Sequence, residues 1–220
     1  MECNPIDPRE FAKVIVNWYS RYGDRDLPWR NTKDPWRVLV AALMLRKTTV
    51  KQVLNVYGRF LSRWPSPREL ARASVEELES VLRPLGMEKV RARLFKELAE
   101  ALVAKYGGEV PLSLAELKSL PGVGDYAARE VLVGVATLPE PLLDRNAIRV
   151  LERVFGVKSQ RPRAHTDPDL WEFSKSLVPL ESPREYNFGL LDFARMVCRA
   201  RNPKCKICPL KPKCYFIRCH

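Results

Sequence analysis

Apolar residues recur along this chain with a helical period. Val90, Leu94, Leu98 and Leu102 repeat every four residues, with Arg91, Arg93, Lys96, Glu97 and Glu100 mostly off that stripe, which predicts one long amphipathic helix. Five Ser-Pro or Asp-Pro pairs punctuate the chain: Asp7-Pro8, Asp34-Pro35, Ser66-Pro67, Asp167-Pro168 and Ser182-Pro183. Each pair places an N-cap ahead of a residue suited to the first helical position. Ser74-Val75-Glu76-Glu77 and Ser113-Leu114-Ala115-Glu116 read as capping boxes. No alternating strand pattern and no Asn-Gly hairpin interrupts this rhythm. The expectation is an all-α fold of about ten to twelve helices joined by short turns. The polar stretch 158–168 reads as a long surface loop.

Composition narrows the setting. The chain has 220 residues, 46% of them hydrophobic, enough for one large domain or two small ones sharing an interface. It has no apolar run long enough to span a bilayer and no signal-peptide pattern at Met1-Glu2-Cys3-Asn4-Pro5, so a cytoplasmic, nucleoid-associated protein is expected. There, clustered cysteines read as metal ligands rather than disulfides. The net charge of +12 points to a polyanionic partner. Arg195, Arg199, Arg201, Lys204, Lys206, Lys211 and Lys213 crowd the last stretch and suggest a phosphate-facing surface. Only two glutamines among many Arg, Glu and Pro residues points weakly to a thermophilic prokaryote.

Three motifs carry chemistry. Cys198, Cys205, Cys208 and Cys214 are spaced C-x6-C-x2-C-x5-C, a set that can enclose an iron–sulfur cluster or a structural zinc ion. Zinc ligands usually come as two close pairs, and only Cys205 and Cys208 form one, which favours iron–sulfur. Cys3 and Cys219 are left without a ligand role. Leu120-Pro121-Gly122-Val123-Gly124 joins two helical stretches, and its glycines let the backbone approach a phosphate. Such a contact positions a duplex without reading its sequence. As a bare pattern it is equally an ordinary helix–helix turn. Twenty residues past Gly124 stands Asp144, which can cap the helix that follows it or serve as a catalytic carboxylate.

Together these motifs resemble the helix-hairpin-helix DNA glycosylases of the HhH-GPD superfamily, the endonuclease III and MutY type. Leu27-Pro28-Trp29-Arg30, Met44-Leu45-Arg46-Lys47-Thr48-Thr49, the segment from Tyr186 to Phe193 and the cysteine tail extend the likeness over nearly the whole chain. Within that superfamily the chain is most similar to the archaeal mismatch-specific thymine-DNA glycosylases. The resemblance implies a six-helix domain over residues 28–140 and a second helical domain built from residues 1–27 and 141–220. It makes Asp144 the catalytic carboxylate, stabilising the positive charge that develops on the sugar and orienting water. It makes Cys198, Cys205, Cys208 and Cys214 the ligands of a [4Fe-4S] cluster that locks the tail, so that Arg199, Arg201 and Lys204 meet the DNA backbone.

Tyr126 sets the reaction type. Endonuclease III-like relatives carry at that position a lysine whose amine attacks the sugar, and a phenol cannot form an imine. A monofunctional, hydrolytic glycosylase is therefore expected, and the resemblance implies a monomer that removes thymine or uracil from G·T and G·U mismatches in duplex DNA. Ala42 stands where adenine glycosylases carry the acid that protonates the leaving purine, and Arg145 stands where a small residue is usual. Asn146 is expected near the catalytic water or as a helix cap. Base flipping requires wedge residues, and Arg46, Lys47, Leu85 and Met87 lie in the turns that supply them, Leu85 reading better as core. The alternatives are adenine removal, a lyase acting on oxidised bases with Lys47 as its amine, and a non-enzymatic hairpin module that only holds DNA.

Overall fold

The computed structural model describes residues 6–218; Cys3 and Cys219 lie outside them. Twelve α-helices and no strand occur among the described residues. They are α1 (Pro8–Tyr22), α2 (Pro35–Met44), α3 (Val50–Arg63), α4 (Pro67–Arg72), α5 (Val75–Leu82) and α6 (Glu88–Tyr106), then α7 (Leu114–Lys118), α8 (Asp125–Val131), α9 (Arg145–Phe155), α10 (Pro168–Ser176), α11 (Pro183–Met196) and α12 (Tyr215–Arg218). The chain divides into two compact units. One is contiguous, Leu27–Ala136; the other combines Met1–Asp26 with Thr137–His220.

Helix starts follow the local chemistry. Asp7, Asp34, Ser66 and Asp167 each accept a hydrogen bond from a main-chain N–H of the helix they precede. The Ser74/Glu77 capping box forms as expected, and so does one at Thr49/Gln52. Ser182 and Ser113 make no side-chain cap bond. At Ser182 the backbone lies at φ −146°, ψ 50°, outside the extended region an N-cap residue normally occupies.

In the contiguous unit, α6 packs against α4 and α5, and its buried side differs from the four-residue stripe. Val90 is 60% exposed, while Arg91, Ala92, Phe95, Leu98, Ala99 and Leu102 face inward. A strict four-residue repeat drifts by about 40° per step around a helix, so it cannot stay on one face for long. The two-ended unit packs α1 against α11 around Phe11, Ile15, Tyr186, Leu190 and Phe193. Its 157–163 segment is irregular and is held by buried Asp167, which accepts from the Ser159 hydroxyl (2.6 Å) and the Gln160 N–H (3.0 Å) while capping α10.

Candidate active site, DNA-contact turns and cysteine pocket

Asp144 is placed by its neighbours in the two-ended unit. The irregular segment before it is pinned by the buried Asn187 side chain. Asn187 Oδ1 accepts from the Leu142 N–H (2.7 Å), and its Nδ2 donates to the carbonyls of Glu140 (2.9 Å) and Pro183 (2.8 Å). Asp144 then caps α9: Oδ1 accepts from the N–H groups of Asn146 (2.8 Å) and Ala147 (2.7 Å). Its second oxygen accepts from Asn146 Nδ2 at 2.8 Å. The aspartate is a helix cap whose carboxylate orientation is fixed at both oxygens. Asn146 also accepts from Arg149 Nη1 (3.0 Å), and Arg149 donates onward to the carbonyls of Cys198 (3.0 Å) and Ala194 (2.9 Å). A hydrogen-bonded chain thus runs from Asp144 to the first cysteine. Burial holds the Arg149 guanidinium below its ordinary value, the nearby Cys198 and Asp144 partly opposing this. Arg145 is exposed.

In the contiguous unit the hairpin turn is more specific than its glycines imply. Leu120 and Val123 are buried and belong to the unit's apolar core. Gly122 has φ +73°, and a Cβ there would sit 2.2 Å from a methyl of Leu94. Gly122 thus serves the turn and its packing on α6, and it is exposed. Gly124 has nothing within 4 Å of a Cβ placed on it. Tyr126 stands half-buried on the first turn of α8, beside Asp125, whose carboxylate pairs with Lys118 Nζ at 2.7 Å. Ala42 is enclosed in the core on α2, with no acid at its position.

The expected wedge residues separate. Leu85 is core, whereas Met87 is 52% exposed. Met87 and Lys47 both adopt left-handed backbone, at φ +54° and +58°. That conformation costs an ordinary L-residue about 1–2 kcal/mol. Arg46 and Lys47 are exposed, and Arg46 Nη1 donates to the Gly122 carbonyl at 3.1 Å. Of the basic residues around the cysteines, Arg199, Arg201 and Lys204 are exposed. Arg195 is instead paired with Asp24 and Asp192, and Lys213 with Glu10, so these two belong to the unit's own framework.

Cys198, Cys205, Cys208 and Cys214 are free thiols that line one pocket, walled by Val154, Phe193, Val197 and Phe216. Burial pushes the Cys208 thiol up to about 11, and the three neighbouring cysteines add to this. Cys214 moves the same way, again mainly through burial. Among the described residues, no three Cys, His, Asp or Glu side chains are grouped to hold one metal ion.

Residues 40–176 match the HhH-GPD superfamily of base excision DNA repair proteins. A "Thymine/uracil-DNA glycosylase" of Pyrobaculum aerophilum is 59% identical over 215 residues, 94% of either chain. The chain belongs to the HhH-GPD superfamily. A "Thymine-DNA glycosylase" of Aeropyrum pernix is 53% identical over 92% of both chains. The solved structure of a thermostable thymine-DNA glycosylase superposes with a TM-score of 0.91 at 30% identity, covering 97% of each chain.

For this HhH-GPD chain, sequence motifs point to Asp144, Tyr126, the hairpin and the cysteines, and miss Asn187, Arg149 and Arg91. Asn187 sits inside a segment of the family likeness, Tyr186 to Phe193, yet only its three bonds reveal that it holds the approach to Asp144. No helix among the described residues is long and apolar enough to cross a membrane.

Proposed function

We propose that this HhH-GPD protein is a monofunctional thymine/uracil-DNA glycosylase. It hydrolyses the N-glycosidic bond of thymine or uracil opposite guanine and leaves an abasic site. The observation that carries the proposal is Asp144, whose two carboxylate oxygens are held by Asn146 and Ala147 at the head of α9. The name borne by the 59%-identical relative supports the substrate class.

In this reading the duplex is gripped through the main chain near Gly124 and through exposed Arg199, Arg201 and Lys204. A mispaired base costs less to extrude than a paired one, and Met87 with the Arg46-Lys47 turn fills the vacated stack. As the bond to the base breaks, positive charge builds on the sugar. The fixed Asp144 carboxylate stabilises that charge and aligns the attacking water without having to reorganise. Tyr126 supplies no amine at its position, so no imine forms and the strand stays whole. Buried, apolar Ala42 offers no proton to a leaving purine, which argues against adenine as substrate.

The four cysteines suit a [4Fe-4S] cluster. They share one apolar pocket, and only Cys205 and Cys208 form a close pair in sequence, whereas zinc ligands usually come as two close pairs. When bound, such a cluster takes up the crowded thiolates and cross-links the tail. Arg153 supports the same loop by donating to the carbonyls of Arg199 (2.7 Å) and Ala200 (3.2 Å).

The test is a single-turnover assay on duplexes containing G·T, G·U, A·8-oxoguanine and thymine glycol, each read with and without alkali. Release from G·T and G·U, with strand breakage only after alkali, is the expected result. Adenine release, or activity confined to thymine glycol, would overturn the proposal.

A further inference from the structure

Arg91, in the first turn of α6, is buried, and its hydrogen bonds run to main-chain carbonyls of two separate turns. Nε donates to Gly86 (3.0 Å), Nη1 to Leu43 (3.1 Å) and more weakly to Met44 (3.5 Å), and Nη2 to Arg46 (2.6 Å). The Leu43, Met44 and Arg46 carbonyls belong to the C-terminal end of α2 and the turn after it, where intrahelical donors run out and a positive charge is favoured. Gly86 directly precedes Met87. The planar guanidinium fork can satisfy acceptors that diverge in this way, which a single ammonium cannot.

The two turns held by Arg91 contain Lys47 and Met87, both in left-handed backbone. Such conformations in non-glycine residues persist only where the surroundings over-determine them. A third turn joins the same hub. Arg46, whose carbonyl accepts from Arg91, sends its own side chain to the Gly122 carbonyl in the hairpin. Leu94, three residues after Arg91, fills the space beside Gly122. The turns at 46–47, 86–87 and 122–124 are thereby referred to the first two turns of one helix.

We infer that Arg91 is a positioning residue: it fixes the spacing between the Met87 turn, the Arg46-Lys47 turn and the hairpin, so that gripping the duplex and extruding the base occur in register. The inference rests on the base-flipping function proposed above. A side chain needed only to fill the core would be replaceable by an apolar one of similar length. A positioning residue acts on extrusion and leaves the later bond cleavage alone.

The test compares wild type, Arg91→Lys and Arg91→Met on two duplexes, uracil opposite guanine and uracil opposite a tetrahydrofuran abasic analogue. In the second duplex, pairing no longer opposes extrusion. A 2-aminopurine next to the target reports unstacking independently of base release. Both variants are expected to lose about 10- to 100-fold in single-turnover release from the G·U duplex, the scale of a misplacement of about 1 Å. They should lose less than about threefold on the abasic-opposed duplex, where extrusion is already cheap. The unstacking step should slow in parallel with the G·U rate. Equal losses on both duplexes, or unchanged unstacking, would overturn the inference and leave Arg91 as a stability residue. If Arg91→Met does not fold, Arg91→Lys decides by the same ratio. Failure of the wild type to release uracil would refute the proposed function, while the unstacking signal still judges Arg91.

Discussion

The two units of this protein each have an apolar core and differ in how much of their irregular chain is held by polar side chains. The contiguous unit has an apolar core running from Leu27 to Leu132, with Phe60 stacked edge-on or tilted against Trp64 and Phe95. Many of its helices follow one another closely and are capped from within. The two-ended unit joins segments from opposite ends of the chain, and polar side chains fix its irregular stretches. Asn187 holds residues 140–142, Arg149 and Arg153 hold the loop around Cys198, and buried Asp192 accepts from the Asp24 N–H at 2.9 Å. The contrast separates two needs. Helix faces can be packed by area alone, but a segment with no repeating face needs directional bonds to acquire one geometry. Asp144 lies at the end of such a segment.

The comparison can be broken most severely at Asp144. Asn caps helices as well as Asp does, so Asp144→Asn should melt within about 0.5 kcal/mol of wild type. Its single-turnover base release should nevertheless fall by about 10²–10⁴-fold. A loss of stability matching the loss of rate would make Asp144 chiefly structural. Next in size is the cysteine pocket. Iron analysis should find metal that Cys205→Ser loses, and hydrogen exchange around residues 198–214 should then quicken by several kcal/mol of protection. The contiguous unit should keep its protection; a uniform loss would erase the distinction between the units.

Asn187→Leu comes third. It leaves the Leu142 N–H and two carbonyls without their partner, and chemical denaturation should register about 2–4 kcal/mol. Base release should fall as well, because Asp144 loses its support. The smallest pair lies in the contiguous unit. Thr49→Ala removes a formed capping box and should cost about 1 kcal/mol, whereas Ser113→Ala, where no cap bond forms, should cost less than about 0.5 kcal/mol. Equal costs in thermal melts would show that cap geometry does not govern these helix starts.

What the sequence made legible follows the same division. Helix starts at Asp7, Asp34, Ser66, Ser74 and Asp167 were readable because a cap acts within three residues. The cysteine spacing and the hairpin were readable for the same reason: their chemistry is local. Val90 misled because a four-residue repeat drifts off the buried face, and Ser182 because its backbone departs from cap geometry. Asn187, Arg149 and Arg91 were not legible. Their acceptors lie in distant segments or in turns of irregular backbone, and no periodicity marks a polar side chain that bonds to main chain 45 residues away. The packing of Gly122 was not legible either, since its neighbour Leu94 comes from another helix.

The central claim is hydrolytic removal of thymine or uracil by a chain that has an Asp144 carboxylate and no amine at position 126. The most direct measurement incubates the protein with a G·U duplex in the presence of borohydride, which traps any imine. Uracil release with no trapped protein–DNA complex, and strand cleavage only after alkali, is the result predicted here. A trapped complex, or nicking without alkali, would contradict the account and direct attention to Lys47 as the attacking amine.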